Sequence, residues 1–576
     1  MSARTEGDVA LACMSAVVDG LVSQGIQHVC VSPGSRSTPL ALALSRHPDV
    51  SVHVHLDERS SGFFALGLAK ATGRPVAVAC TSGTAAANLF PAVVEASISR
   101  TALVLLTADR PPELHGVGAN QTIDQRELFG GYVKRFVDAG VPGEHPDVLQ
   151  WFALGLAAAN VARRHPPGPT HVNLPFREPL MPSEDHLEIG HLDSRSPGSG
   201  RAGARTRRTD VETLAERMMG VERGVLFAGS LRQDASPVVD LARTLGWPLI
   251  AEPTSGLRIP GALSAGAFLL ASESFLSTHV PDLVVQVGAA PTSRAGLAFV
   301  ADSKRLIIID PDRLVADPAR HASLRLEADP ASLSRALLKR IESREDSAWW
   351  GEWEEADRSA RRAVDDVVDS WEEPFEGRAA RDLPASLPDG ATLVVGSSMP
   401  ARDLDAYMRP RPGLRVLGNR GASGIDGFVS TALGIAASGA STFALMGDLT
   451  LLHDASGLLW SAGRGHDAVF VVPNNDGGAI FSFLAQRRLP EFADLFVTPH
   501  GLDLSKVAAG AGARHALVER GAELGPTVIE ASRSGGVWIV EVPSDRDLNL
   551  ARHHEVDAAV TSALQAQAGR RRTMPL

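Results

Sequence analysis

Short apolar runs that stop abruptly in small or polar residues recur along the whole chain. Early come VCVSPGS, SVHVHLD, PVAVACTSG and ALVLLTADR; then GVLFAGS, PLIAEP, LVVQVGAA and RLIIIDPD; and late TLVVGSS, LRVLGN, TFALMGD and AVFVVPNND. Helical patterns separate them. Apolar strands that alternate with helices require parallel sheets covered on both faces. In such sheets ligands bind outside the carboxyl ends of the strands. The tails SPGSRS, TSGT, TADRP, GSSMPAR, GNRGASG, GDLT and PNNDGG are therefore the places for chemistry.

The chain has 576 residues, and at about 150 residues per domain it holds three or four domains. Two stretches read as linkers: the polar Ser183–Asp210, and Arg340–Asp389, which begins as a charged, Trp-bearing amphipathic helix and ends Pro-rich. They leave three α/β pieces, 1–185, 205–345 and 385–570. The segment DERSSGFFALGLAKATGRPVAVACTSGT is echoed by NRGASGIDGFVSTALGIAASGASTFALMGDLT. Both run polar turn, Gly-punctuated helix, strand and small-residue loop, as expected of two related domains flanking a different one.

Several classes of function are excluded. Fifty-six basic against 67 acidic residues give a net charge of −11, which argues against a general nucleic-acid binder. Only five basic residues are lysines and none follows a glycine, so no phosphate-binding Gly-Lys-Ser/Thr loop exists. Cys13, Cys30 and Cys80 form no C-x-x-C pair and read as buried thiols in a reducing compartment. The N-terminus carries acids where a signal peptide needs a basic and then apolar run. Phe428–Met446 is diluted by Gly, Ser and Thr, and reads as a buried helix and strand rather than a membrane span. A cytoplasmic protein is expected.

Common motifs fail in detail. GVGANQ lacks the third glycine of G-x-G-x-x-G, and Ile425 breaks G-x-S-x-G after Gly424. His53 and His55 face one way on a strand without a third ligand, as satisfied or exposed histidines do. One constellation remains. Asp448 ends one strand and Asn475 another, 27 positions apart. A carboxylate and an amide carbonyl at adjacent strand ends are hard oxygen donors suited to Mg²⁺. Gly477 and Gly478 would let a diphosphate approach the backbone. The same residues also fit two unrelated polar loops.

G-D followed about 26 residues later by N-N is similar to the thiamine diphosphate signature of the decarboxylase and acetohydroxyacid synthase superfamily. SPGSRSTPL, DERSSGFFALGLAK, TADRPPEL, GANQTIDQ, NRGASGIDG, GDLTLLHD and NNDGGAIFSFL narrow the resemblance to the 2-succinyl-5-enolpyruvyl-6-hydroxy-3-cyclohexene-1-carboxylate synthases of menaquinone biosynthesis. Among these, Leu449 in place of the usual glycine of G-D-G is tolerated. The resemblance is dense in the outer thirds and sparse in the middle.

It implies three doubly wound parallel-sheet domains of the thiamine diphosphate-dependent decarboxylase/synthase type: a pyrimidine-binding domain (1–185), a central domain (205–345) and a diphosphate-binding domain (385–570). It implies thiamine diphosphate and Mg²⁺ as cofactors, with Mn²⁺ able to substitute. Glu58 would press on the N1′ ring nitrogen and drive general acid–base work; its alternative is a helix N-terminal charge. Ile425 would support the bent cofactor, with Gly447, Asp448, Leu449, Asn475, Gly477, Ile480 and Phe481 around it. Asp448, Asn475 and Gly477 would hold the metal.

The implied reaction decarboxylates 2-oxoglutarate and adds the succinyl-semialdehyde carbanion to isochorismate in a 1,4 addition. The carboxylates of these substrates call for arginines, whose planar fork binds them bidentately. Arg36, Arg110, Arg402 and Arg420 stand at strand ends and match substrate-binding positions, with Arg294 in the weakly matching middle. Ser35, Asn120, Gln121 and Ser398 are polar candidates beside them. The alternatives for substrate are those of an acetohydroxyacid synthase or a 2-oxoacid decarboxylase; a catalytically dead regulatory relative would be expected to lose Glu58 or the metal clamp first. A homodimer or dimer of dimers is implied, with each site shared between subunits.

Overall fold

The computed structural model describes residues 4–143, 146–184, 204, 206–313, 317–344, 347–461 and 463–573. Three parallel sheets organise the chain. The first, in the order β2-β1-β3-β4-β6-β5, is built from β1 (His28–Val31), β2 (Ser51–Val54), β3 (Val76–Cys80), β4 (Leu103–Asp109), β5 (Phe136–Asp138) and β6 (Thr170–Pro175). The middle sheet, β11-β10-β9-β7-β8, comprises β7 (Gly224–Ala228), β8 (Leu249–Ala251), β9 (Leu283–Val287), β10 (Leu306–Ile309) and β11 (Leu324–Leu326). The third, β13-β12-β14-β15-β17-β16, comprises β12 (Thr392–Val395), β13 (Arg415–Gly418), β14 (Thr442–Leu445), β15 (Ala468–Asn474), β16 (Arg514–Leu517) and β17 (Val537–Pro543).

Burial follows sheet position. Every residue of the central strands β3 and β4 is buried, whereas the edge strands β2 and β16 are partly exposed. Continuous apolar runs are thus the mark of strands covered on both faces. The strands missing from the sequence reading, β5, β6, β11, β16 and β17, are mostly short or broken by polar residues such as His171 and Asn173. These two polar side chains are buried and bonded to Thr107.

The described residues form two compact units. One gathers those of 1–202 with 419–440 and 452–467; the other gathers those of 203–418, 441–451 and 468–576. In the first unit the helix Glu58–Thr72 lies against the helix Phe428–Ala436. A side chain at Gly67 would run into the carbonyl oxygen of Thr431, and one at Gly434 into that of Phe64. These glycines let the two backbones touch. The buried helix and strand expected over Phe428–Met446 are Phe428–Ala436 and β14.

Two expectations change. The stretch Arg340–Asp389 is no spacer: the helix Ala348–Val368 plants Trp349 and Trp353 in the core of the second unit, and the helix Glu376–Ser386 follows it inside that core. Trp residues on one helix face bury too much area to be left in a linker. In the other stretch, residues 185–203 and 205 lie outside the described residues, and a helix has already begun at Arg208. Cys13, Cys30 and Cys80 are buried free thiols, pushed up by burial, Cys13 to about 12. Among the described residues no helix is long and apolar enough to cross a membrane.

Candidate active site

Asp448 opens the helix that follows β14, and Asn475 follows the last residue of β15; parallel pairing sets these two strand ends side by side. Asp448 is only 1% exposed. Its Oδ2 accepts from the backbone amides of Asn475 (3.2 Å) and Gly477 (2.9 Å), and its Oδ1 from that of Leu449 (2.6 Å). Burial pushes its carboxyl above the ordinary aspartate range, while the Gly477 and Leu449 amides and His500 pull it back. The His500 ring accepts from Leu502 N at Nδ1 (3.0 Å), so Nε2 carries the proton and donates to Asp448 Oδ2 (3.3 Å).

Asn475 Nδ2 donates to Glu376 Oε1 (2.9 Å), while its Oδ1 is buried with no hydrogen-bond partner. A buried acceptor without a donor is rare and costly, and this one stands at a site with an anionic carboxylate. Such a pair of hard oxygens fits a divalent cation. Arg546 holds the backbone carbonyls of Asn475 and Asp476, and Asp476 in turn accepts from the amides of His500 and Gly501. Gly477 has φ +138°, and a side chain there would strike the Val497 carbonyl. A side chain at Gly478 would meet that of Phe496 at 2.6 Å. The glycines expected to admit a diphosphate are thus required by the neighbouring chain itself. Leu449, Ile480 and Phe481 are half-buried, with Phe481 against Phe496 at 5.5 Å between ring centres.

In the first unit, Glu58 is the opening residue of its helix, half-buried, and accepts from Asn88 Nδ2 (3.4 Å). Its charge is felt by Cys80 at the end of β3. Arg36 is buried: it donates to the Phe176 carbonyl (3.0 Å) and to Glu178 (2.8 Å), with Nε enclosed and unbonded. Arg110 donates to Ser82 Oγ. Burial and the nearby Arg36 charge lower the hold of Arg110 on its proton, which places two guanidiniums together at the carboxyl ends of β1 and β4. Gln121, at φ +55°, is tied to Ser82 through its side chain and carbonyl. Ser35 and Asn120 are exposed at the same strand ends.

Arg420 sits in a loop clamped on both sides. Asn419 accepts from Lys70 Nζ (2.9 Å), and the amides of Gly421 and Ala422 donate to the buried Glu95 (3.0 and 2.7 Å). Ile425 is half-buried beyond it. In the second unit Ser398 takes φ +75° before the helix Met399–Tyr407, a strained turn of the kind that costs about 1–3 kcal/mol. Arg402, exposed, donates to the Ser398 carbonyl (2.8 Å). Arg294 opens the helix Arg294–Ala301 after β9 and is exposed; it is the one candidate carried by the middle sheet.

Of the two strand histidines, His53 is satisfied as expected and His55 is not. His53 bonds His28 (3.2 Å), but His55 is buried with neither ring nitrogen bonded. It packs on Phe64, 4.4 Å between ring centres. Burial pushes it down to about 3 and His53 to about 4.

Family models match in chain order: "Thiamine pyrophosphate enzyme, N-terminal TPP binding domain" over residues 12–128, "Middle domain of thiamine pyrophosphate" over 205–395 and "Thiamine pyrophosphate enzyme, C-terminal TPP binding domain" over 398–542. A Mycobacterium smegmatis chain classed as a thiamin diphosphate-dependent enzyme superposes with a TM-score of 0.68 at 21% identity, covering 92% of this chain and 99% of that one. A 2-succinyl-5-enolpyruvyl-6-hydroxy-3-cyclohexene-1-carboxylate synthase of Thermobifida fusca is 44% identical over 95% of this chain and 98% of its own. The chain belongs to that synthase family. Synthases of the same name from Chloroflexus aurantiacus (42% identical, 96% of this chain and 97% of that one) and Listeria monocytogenes (37%, 96% and 98%) agree.

Around the candidate site the sequence reading overlooked Glu376, His500 and Arg546. Glu376 stood in a stretch read as a linker, His500 lies in a loop, and Arg546 opens the last helix, where no strand end draws attention to it. Burial, reinforced by Asp403, pushes Glu376 up to about 7.

Proposed function

We propose that the chain uses thiamine diphosphate and Mg²⁺, or Mn²⁺ in its place, to decarboxylate 2-oxoglutarate and add the remaining four-carbon fragment to isochorismate, as a homodimeric or dimer-of-dimers enzyme of the cytoplasm. The observation that carries the substrate class is the pair Arg36 and Arg110, two cations brought together in a net acidic protein. Glu178, ion-paired to Arg36, and Asp109 offset the two charges only in part, since the hold of Arg110 on its proton is still lowered; substrate carboxylates would complete the balance. Thiamine diphosphate, when bound, would supply a nucleophilic carbon to attack the keto group and a cationic ring to take up the electron pair released with CO₂.

The chain's own residues do the rest. Asp448, the Asn475 amide oxygen and Gly477 hold the metal, with Gly447, Leu449, Ile480 and Phe481 lining the cofactor. Glu58 would hold a proton at the pyrimidine N1′ atom, and Ile425 would support the bound cofactor. Arg36 and Arg110, with Ser35, Asn120 and Gln121, and Arg402 and Arg420, with Ser398, orient the carboxylates; Arg294 is the remaining cationic candidate. The three buried thiols support a reducing compartment.

Product mass analysis with 2-oxoglutarate, isochorismate, thiamine diphosphate and Mg²⁺ tests the reading. The expected product carries the four-carbon fragment on the isochorismate ring. Equal turnover of pyruvate, which has no distal carboxylate, would overturn it.

A further inference from the structure

An asparagine amide is nearly symmetric in shape, and a half-turn exchanges its acceptor for a two-proton donor. At Asn475 everything but that half-turn is fixed. The backbone amide is bonded to Asp448 and the backbone carbonyl to Arg546. The remaining freedom is decided by Glu376, whose Oε1 takes the Nδ2 end at 2.9 Å. Glu376 is itself held: it opens the helix Glu376–Ser386, is 4% exposed, and the same oxygen accepts from Ser544 Oγ at 3.0 Å. With Asn475 turned over, two oxygens would face each other in a place water cannot reach. The turn therefore leaves Oδ1 pointing away from Glu376, enclosed and unbonded.

We propose that Glu376 is a positioning residue for the divalent cation: it orients the Asn475 amide so that its oxygen is presented as a ligand. The inference rests on the assignment of Asp448 and Asn475 as the metal site. It assigns Glu376 no contact with substrate or cofactor. Outer partners of this kind change metal affinity by about 10–100-fold.

Calorimetric titration of Mg²⁺ into the full chain with saturating thiamine diphosphate tests it. Glu376→Met should raise the Mg²⁺ dissociation constant about 10–100-fold, while Glu376→Gln, which keeps the accepting oxygen, should stay near wild type. In an Asn475→Ala background Glu376→Met should add no further loss. A merely structural glutamate would lower the unfolding midpoint of the metal-free protein and leave Mg²⁺ affinity alone, and that result overturns the proposal. So does a loss in the double variant that multiplies the two single losses. Should Glu376→Met not fold, Ser544→Ala loosens the same carboxylate, with an expected weakening of about 3–10-fold; unchanged affinity there counts equally against the proposal. Failure of the metal site itself has a different pattern: wild-type Mg²⁺ affinity in Asp448→Ala and Asn475→Ala.

Discussion

The first sheet, β2-β1-β3-β4-β6-β5, and the third, β13-β12-β14-β15-β17-β16, place corresponding strands in the same order, yet the turns that leave them carry different side chains. After β1 come Ser35 and Arg36; after its counterpart β12 come Ser398 and Arg402. Beyond this the two diverge. β2 is followed by Glu58, but β13 by Arg420. β3 leads to Ser82 and β14 to Asp448; β4 leads to Arg110 and β15 to Asn475. Scaffolds of the same strand order thus deliver an acid and two cations in one case, and the proposed metal ligands with two cations in the other. Topology decides where groups stand, and the loops decide what they are.

The division of labour can be broken first at its acids. Glu58→Gln should slow C2 proton exchange of bound thiamine diphosphate by about 10²–10⁴ with cofactor affinity intact. Asp448→Ala should instead lose cofactor affinity, by more than the about 10–100-fold that outer partners of a metal site carry, which calorimetry reads directly. If the two sheets of one site come from different subunits, mixing the two inactive variants should restore about a quarter of wild-type activity. Verified subunit exchange without recovery would reject shared sites.

The arginines sharpen the comparison at a smaller scale. Arg110→Ala removes a half-buried charge and should raise KM for 2-oxoglutarate by about 10–100-fold, the worth of a charged hydrogen bond. Arg402→Ala removes an exposed one and should do less, without altering cofactor affinity in either case. Equal effects on substrate and cofactor would mark the arginines as structural.

The paired helices come next. Gly67→Ala and Gly434→Ala each push a methyl into a backbone carbonyl and should destabilise by about 1–3 kcal/mol, read as a lowered denaturant midpoint. Gly439→Ala meets no atom within 4 Å but lies at φ +86°; its cost, about 1 kcal/mol from the left-handed backbone, calibrates the clash.

The smallest effect is a slope. Asp454 accepts from Ser430 N (2.7 Å) and Ser60 Oγ (3.4 Å), bridging those same helices. Burial raises it from 3.8 to about 6, against the pull of Ser430. Between these values the folded chain keeps a proton that the unfolded chain has released. This group's contribution to stability therefore falls as pH rises through that window. Asp454→Asn should remove that component, seen by comparing unfolding free energies at its two ends.

Much of this was legible in the residues. Continuous apolar runs gave away the central strands, because only strands covered on both faces can afford them. The pair Asp448 and Asn475 was visible because both stand at strand ends, where geometry brings distant positions together. The echo between DERSSGFFALGLAK and NRGASGIDGFVSTALGIA announced two equivalent helices, though not that they would touch each other. Glu376 was invisible for a physical reason: its role depends on the partner its carboxylate finds, Asn475, 99 positions away. His55 misled for the opposite reason, since strand alternation tells which way a ring points and not whether anything there bonds it. Trp349 and Trp353 lay in plain view, but the charges around them on the helix drew the reading toward solvent.

The contact of Gly67 with Thr431 and of Gly434 with Phe64 also bears on how this region responds to heat. Where two backbones meet directly there are no rotamers on either side to populate as temperature rises. The crossing can separate only by moving whole helices, which breaks the surrounding packing at the same time. Amide protons of Phe64–Leu68 and Thr431–Ile435 should therefore exchange through the opening of the entire unit rather than by local fluctuation. Glu58 and Arg420 each stand a short way along the chain from that crossing and share its footing.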